Sequence, residues 1–131
     1  MDDRIKPPST IPAIRVVMMP KDTNAEGTIF GGVILSLIDQ AAFIEASRQA
    51  HHRYVTVSFN EVEFHKPVFV GDVLTLWAQT TRIGRTSITI HVGVLAQRRT
   101  HPDVEVPVTE ADVVFVAVDE SGNPTPVLPP A

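Results

Sequence analysis

The sequence predicts a two-layer α+β domain in which an antiparallel β-sheet wraps one long central helix. Three observations carry this. Residues 31–49 form a single helix-favouring stretch, rich in Ala, Leu and Ile, with no Pro and no Gly after Gly32. Strand-like segments then follow one another with short connections, which favour antiparallel pairing. Within them Ile88, Ile90, Val92, Val94 and Ala96 alternate with Ser87, Thr89, His91, Gly93 and Leu95, a clean period of two.

Along the chain, "KPPSTIP" at 6–12 is a poor former of helix or sheet, expected to lie loose or against the surface. A first strand is expected around Ile14–Met18. The loop "DTNAEG" leads into the helix, whose first half is apolar nearly all round and so reads as wrapped by other structure. Its second half, "EASRQAHHR", turns polar and is expected to emerge into solvent. Residues 54–64, "YVTVSFNEVEF", and 73–82, "VLTLWAQTTR", are the next strands, separated by "HKPVFVGD". The tight turn "IGRT" leads to the alternating strand, and 109–118, "TEADVVFVAV", closes the sheet. The Pro-rich tail "NPTPVLPPA" at 123–131 mirrors the N-terminus. With no internal repeat or linker, the 131 residues read as one domain, 1–131. A helix with more apolar surface than one sheet can cover predicts a second subunit against it.

Composition narrows the function. At 44% hydrophobic and 20% charged residues, with net charge −4, the chain reads as globular and poorly suited to a nucleic-acid surface. The absence of cysteine excludes disulfides, thiolate metal sites and a cysteine nucleophile. No secretory leader opens the sequence and no apolar run approaches a membrane span, so a soluble, cytoplasmic protein is expected. The five histidines lack metal-ligand spacing. His51 and His52 fall at the helix C-terminus, where the helix dipole favours positive charge.

One residue resists a purely structural account. Asp39 stands among Leu35, Leu37, Ile38, Ala41, Ala42 and Phe43, and no helical neighbour three or four positions away is basic. An unpaired buried carboxylate is costly, so it is either solvated as a structural residue or put to use. Gly31 and Gly32, at the helix start, either provide a tight turn or let a group approach the free N–H donors there. Such donors, with the helix dipole, can hold an oxygen on which charge develops. Asp39 is seven residues from Gly32, on nearly the same face but about 10 Å along the axis. One carbonyl cannot easily touch both within one chain, so a functional Asp39 predicts an obligate dimer with antiparallel helices and two composite sites. Asn24 is either a turn residue or a group that orients water or a carbonyl.

These residues carry a resemblance. "MPKDTNAEGTIFGGVILSLID", "VTV…F…KPVFVGD", "GRTSITIHVGV" and "VTEADVVFVAVDESGNP" resemble the hotdog-fold acyl-CoA thioesterases of the YciA/BACH type, over about Ile14 to Pro124. The resemblance implies the hotdog fold, side-by-side helices in a homodimer with shared active sites, and a trimer of dimers. It implies Asp39 as general base or carboxylate nucleophile, Asn24 as positioner from the partner chain, and the N–H groups near Gly31 and Gly32 as oxyanion hole. The substrate is then an acyl-CoA, hydrolysed to free acid and CoA without a metal or redox cofactor. The "RIGRTS" turn (Arg82, Gly84, Arg85, Thr86, Ser87), with His65 and Lys66 and the neighbouring Gly71–Asp72, is expected near the nucleotide; Arg98 and Arg99 are weaker candidates. Two rivals are a hotdog dehydratase, for which Phe30 stands where a His is expected, and a non-catalytic acyl-CoA binder or sensor.

Overall fold

The computed structural model describes residues 4–130; residues 1–3 and 131 of the Pro-rich ends lie outside the described residues. Five strands, β1 (Ile14–Val17), β2 (Arg53–Phe64), β3 (Val73–Ile83), β4 (Ser87–Arg98) and β5 (His101–Val118), form one antiparallel sheet in the order β1-β3-β4-β5-β2. Helix α1 (Gly31–Gln49) packs on one face. This is the helix-on-sheet arrangement the patterning predicts. The period of two in β4 explains why: Ile88, Ile90, Val92, Val94 and Ala96 are all buried and form the floor on which α1 sits. From the helix, Ile34, Ile38, Ala41, Ala42 and Ala46 meet that floor. The alanines let the helix lie close to the sheet. No helix is long and apolar enough to cross a membrane among the described residues.

Two expectations are corrected. β5 begins at His101, not 109. Pro102 and Pro107 hid its first half, yet a register shift at Val94/Leu95 of β4 accommodates Pro107 opposite Leu95. The polar second half of α1 does not simply emerge into solvent either: Glu45 and Gln49 are 3% and 7% exposed. The N-terminal arm lies over them. Lys6 N–H donates to Gln49 Oε1 (2.8 Å), Gln49 Nε2 donates back to the Lys6 carbonyl (3.1 Å), and Arg48 donates to the Pro7 carbonyl (2.8 Å).

The C-terminal arm is also fastened to the body. Val127 is buried, and its N–H donates to the Arg85 carbonyl while its own carbonyl meets His52 Nε2 at 2.7 Å. His52 is thus occupied by the tail rather than by the helix end. The Arg4 guanidinium donates to the Pro129 carbonyl, so the two Pro-rich ends meet.

Candidate active site

Asp39 lies midway along α1, half-buried, and β2 is the strand that meets it. The Thr56 hydroxyl donates to Asp39 Oδ1 at 2.8 Å. Thr56 faces the helix beside a bulge at Val57, where β2 slips one residue against β5, a device that re-aims side chains near functional sites. None of the ion pairs among the described residues involves Asp39. Its carboxylate opens instead on a cleft of about 340 Å³ lined by Gln40, Phe43, Ile44, Tyr54, Thr56 and Phe115. The acid is therefore held by one hydroxyl at the mouth of an apolar space. Thr56 was out of reach of sequence reasoning, because the contact spans 17 residues and two elements.

Tyr54 shapes the far side of this cleft. Its O–H donates to the Ala50 carbonyl at 2.7 Å, and its ring packs edge-on to Phe43 and His52 and tilted against Phe115. Burial pushes the phenol up to about 12, so it stays a neutral donor at ordinary pH.

The helix start presents Gly31 and Gly32, both exposed, with Phe30 as the residue before them. Neither glycine has positive φ. A Cβ at Gly32 would meet nothing within 4 Å, and one at Gly31 would make only ordinary contact with the Phe64 ring at 3.7 Å. Packing and backbone conformation within the chain therefore do not require the pair. Gly27 is the opposite case: at φ 86° only glycine is comfortable, and it closes the loop that Asn24 builds. Asn24 Oδ1 accepts from the N–H groups of Glu26 (2.9 Å) and Thr28 (3.1 Å), and its Nδ2 donates to the Thr28 hydroxyl (2.9 Å). The turn-forming role of Asn24 is real; one amide hydrogen is left over from it.

The remaining site candidates divide between opposite ends of the sheet. The Arg82–Ser87 turn lies beside the start of β2, since Ser87 pairs with Val116 and Arg53 with Val118. His65 and Lys66 follow the end of β2, near Gly31 and exposed. One chain does not bring these two groups together. In the turn, a Cβ at Gly84 would lie 2.8 Å from Ser87 Oγ, so the serine side chain would have to rotate away. Arg82 and Arg85 are exposed, while the Arg85 and Thr86 carbonyls are bonded to Val127 and Ala117. Asp72 and Arg98 have structural work: buried Asp72 accepts from the Phe69 N–H and the Arg98 guanidinium, which also stacks 5.0 Å from the Phe69 ring centre.

A second carboxylate of α1, Glu45, was not singled out by its pattern. It accepts from Arg48 Nε (2.7 Å), the Thr80 hydroxyl (2.7 Å), the Thr80 N–H (3.2 Å) and Gln49 Nε2 (3.3 Å). Burial raises its pKa, but Arg48, Thr80 and Gln49 outweigh that and hold it below the ordinary carboxylate range.

Comparison with known proteins shows the family. The model of the thioesterase superfamily matches residues 26–102, more than half of the chain. An uncharacterised acyl-CoA thioester hydrolase of Zymomonas mobilis is 43% identical over 123 residues, covering 93% of this chain and 81% of that protein. The acyl-CoA thioester hydrolase YciA of Salmonella typhimurium is 40% identical over 116 residues, covering 87% of each. Among solved structures, a hexameric thioesterase from Yersinia pestis superposes with a TM-score of 0.86 at 39% identity, over 95% of this chain and 99% of that one.

Proposed function

The chain belongs to the thioesterase superfamily and is a hotdog-fold acyl-CoA thioesterase, hydrolysing acyl-CoA to a free acid and CoA; from that premise we propose that Asp39 drives the hydrolysis. The observation that carries the assignment is a carboxylate steadied, among the described residues, by the Thr56 hydroxyl at the mouth of an apolar cleft. Thr56 fixes Oδ1 and leaves Oδ2 to take a proton from water. That water attacks the thioester carbonyl carbon; the C=O electrons move to oxygen, and N–H groups at Gly31 and Gly32 stabilise the oxyanion. Collapse of the intermediate breaks the C–S bond, and the proton held by Asp39 passes to the departing CoA sulfur. Direct attack by Asp39 as a nucleophile is the alternative use of the same carboxylate. Neither route calls on a metal or redox cofactor, and CoA belongs to the substrate.

The site is composite in this reading. The roughly 10 Å between Asp39 and Gly32 along one helix is bridged when an antiparallel partner helix brings its own Gly31 and Gly32 to Asp39. Glycines that the chain's own packing does not require support this, as do the exposed Val55 and Val57 on the edge strand β2. Asn24 of the partner chain uses its remaining amide hydrogen on the water or thioester. Three such dimers would make a hexamer, the assembly of the Yersinia pestis relative. The nucleotide of CoA would lie against Arg82, Gly84, Arg85, Thr86 and Ser87 of one subunit and His65 and Lys66 of another, since one chain holds them apart.

Thiol release from acyl-CoA, for wild type and Asp39→Ala, tests the reading. With no cysteine in the chain, a thiol reagent reports only liberated CoA. Turnover by wild type that Asp39→Ala loses supports the assignment. Turnover retained by Asp39→Ala removes it, and tight binding of acyl-CoA without turnover by wild type would make the protein a binder. Mixing inactive Asp39→Ala and Asn24→Ala chains under conditions of subunit exchange should restore activity, because a mixed dimer keeps one intact site.

A further inference from the structure

We propose that the aromatic wall of Phe43, Tyr54 and Phe115 closes the acyl end of the Asp39 cleft and limits the enzyme to short acyl chains. The inference rests on Asp39 as the reacting carboxylate and goes on to name the substrate class. Attack geometry fixes where the acyl group begins: the carbonyl carbon must lie within about 3–3.5 Å of the water that Asp39 activates. The apolar chain then needs an apolar path leading away from Asp39, and the cleft lined by Phe43, Ile44, Tyr54 and Phe115 is continuous with that carboxylate.

Two periodicities set the depth of the cleft. Asp39 and Phe43 are four residues apart on α1, hence on one face and about 6 Å along the axis. Thr56 and Tyr54 are two apart on β2, hence on one face of the strand. Thr56 bonds Asp39, and Tyr54 meets Phe43 edge-on with ring centres 6.5 Å apart, so the second rung of the same ladder is shut by aromatic rings. Phe115, opposite Thr56 on β5, forms the floor and touches the Tyr54 ring at 5.8 Å between centres. This wall does not swing easily. Tyr54 is tied by its hydroxyl to the Ala50 carbonyl and wedged between three rings.

A larger groove of about 550 Å³ lies between β1 and the first half of α1, lined by Val16, Met18, Val33 and Leu37 with Gly32 at its edge. It does not include Asp39, and Lys21 and Asp22 place charge on its rim. It is the competing path for a long chain.

The experiment measures kcat/KM for butyryl- and decanoyl-CoA with wild type, Phe43→Ala, Phe43→Trp, Tyr54→Val and, for the β1 groove, Leu37→Trp. Phe43 is 46% exposed, so its replacement spares the fold and decides the question even where Tyr54→Val fails to fold. Wild type should favour butyryl-CoA. Phe43→Ala should raise the decanoyl-to-butyryl ratio at least tenfold, since one methylene in an apolar pocket is worth about 10- to 200-fold, and Phe43→Trp should lower it. A ratio unchanged within twofold in both Phe43 variants, while butyryl-CoA is still hydrolysed, overturns the proposal and leaves Asp39 untouched. A shift of the ratio by Leu37→Trp instead would assign the chain to the β1 groove and equally overturn it. Full turnover by Asp39→Ala, run alongside, would show instead that the underlying assignment had failed.

Discussion

Helix α1 carries two carboxylates six residues apart, and they live in opposite circumstances. Glu45 is 3% exposed and satisfied by a guanidinium, an amide, a hydroxyl and a backbone N–H. Asp39 is half-buried, receives one hydroxyl and opens on an apolar cleft. A buried carboxylate whose two oxygens both accept from protein donors has little left for a substrate; it fixes structure. Glu45 joins α1 to β3 through Thr80, and its neighbours Arg48 and Gln49 grip the N-terminal arm. A carboxylate with one partner keeps an oxygen for chemistry at some cost to the fold. The same residue class on the same helix is thus divided by its satisfaction as well as by its burial.

Each side of this contrast can be broken separately. Replacing Asp39 with Ala should produce the largest effect, a loss of about 10²–10⁴-fold in kcat, the usual worth of a positioned general base, read by thiol release. Next is Glu45→Gln, which leaves Arg48 facing a neutral group. The expected loss is about 3 kcal/mol, at the low end for a broken buried pair because Arg48 is partly exposed. Thermal unfolding should fall by on the order of 10 °C, while the folded enzyme still turns over. Glu45 also predicts a pH dependence. Its folded pKa is depressed, so its stabilisation is present above the unfolded Glu value of about 4.3 and is lost as pH falls below about 5 through the folded value. Wild type should lose thermal stability faster than Glu45→Gln across that acid window.

Smaller effects sharpen the Asp39 side. Thr56→Val removes the hydroxyl bond to Asp39, with an expected loss of about tenfold in kcat, matching a bond to a charged group of about 1.5 kcal/mol. Thr56→Ser should recover most of it, and KM should change little. Gly32→Ala is the subtlest test. Within the chain the new methyl meets nothing, so helix propensity alone would raise stability by about 0.5–1 kcal/mol. Reduced activity with equal or higher stability of the subunit would mean that the glycine serves a substrate or a partner.

Much of the fold was legible because it rests on local periodicity. The Gly31–Gln49 helix and the alternation in β4 are read from neighbouring residues and are found where they are expected. The start of β5 was not, since its prolines argue against strand and a bulge in β5 itself, at Val108, makes room for Pro107. At the candidate site, Asp39 stood out as an acid in an apolar run. What surrounds it did not: Thr56 and the Tyr54–Phe115 wall come from distant segments. Glu45 did leave a trace, because Arg48 follows it at helical spacing. The contact between Lys6 and Gln49, 43 residues apart, left none.

The most direct measurement pairs the two isosteric variants, Asp39→Asn and Glu45→Gln, assayed for thiol release from butyryl-CoA and for thermal unfolding on the same preparations. Asp39→Asn should unfold within a few degrees of wild type yet lose at least a hundredfold in kcat, while Glu45→Gln should melt early and keep its turnover when folded. An Asp39→Asn enzyme within twofold of wild type would contradict the role given to Asp39.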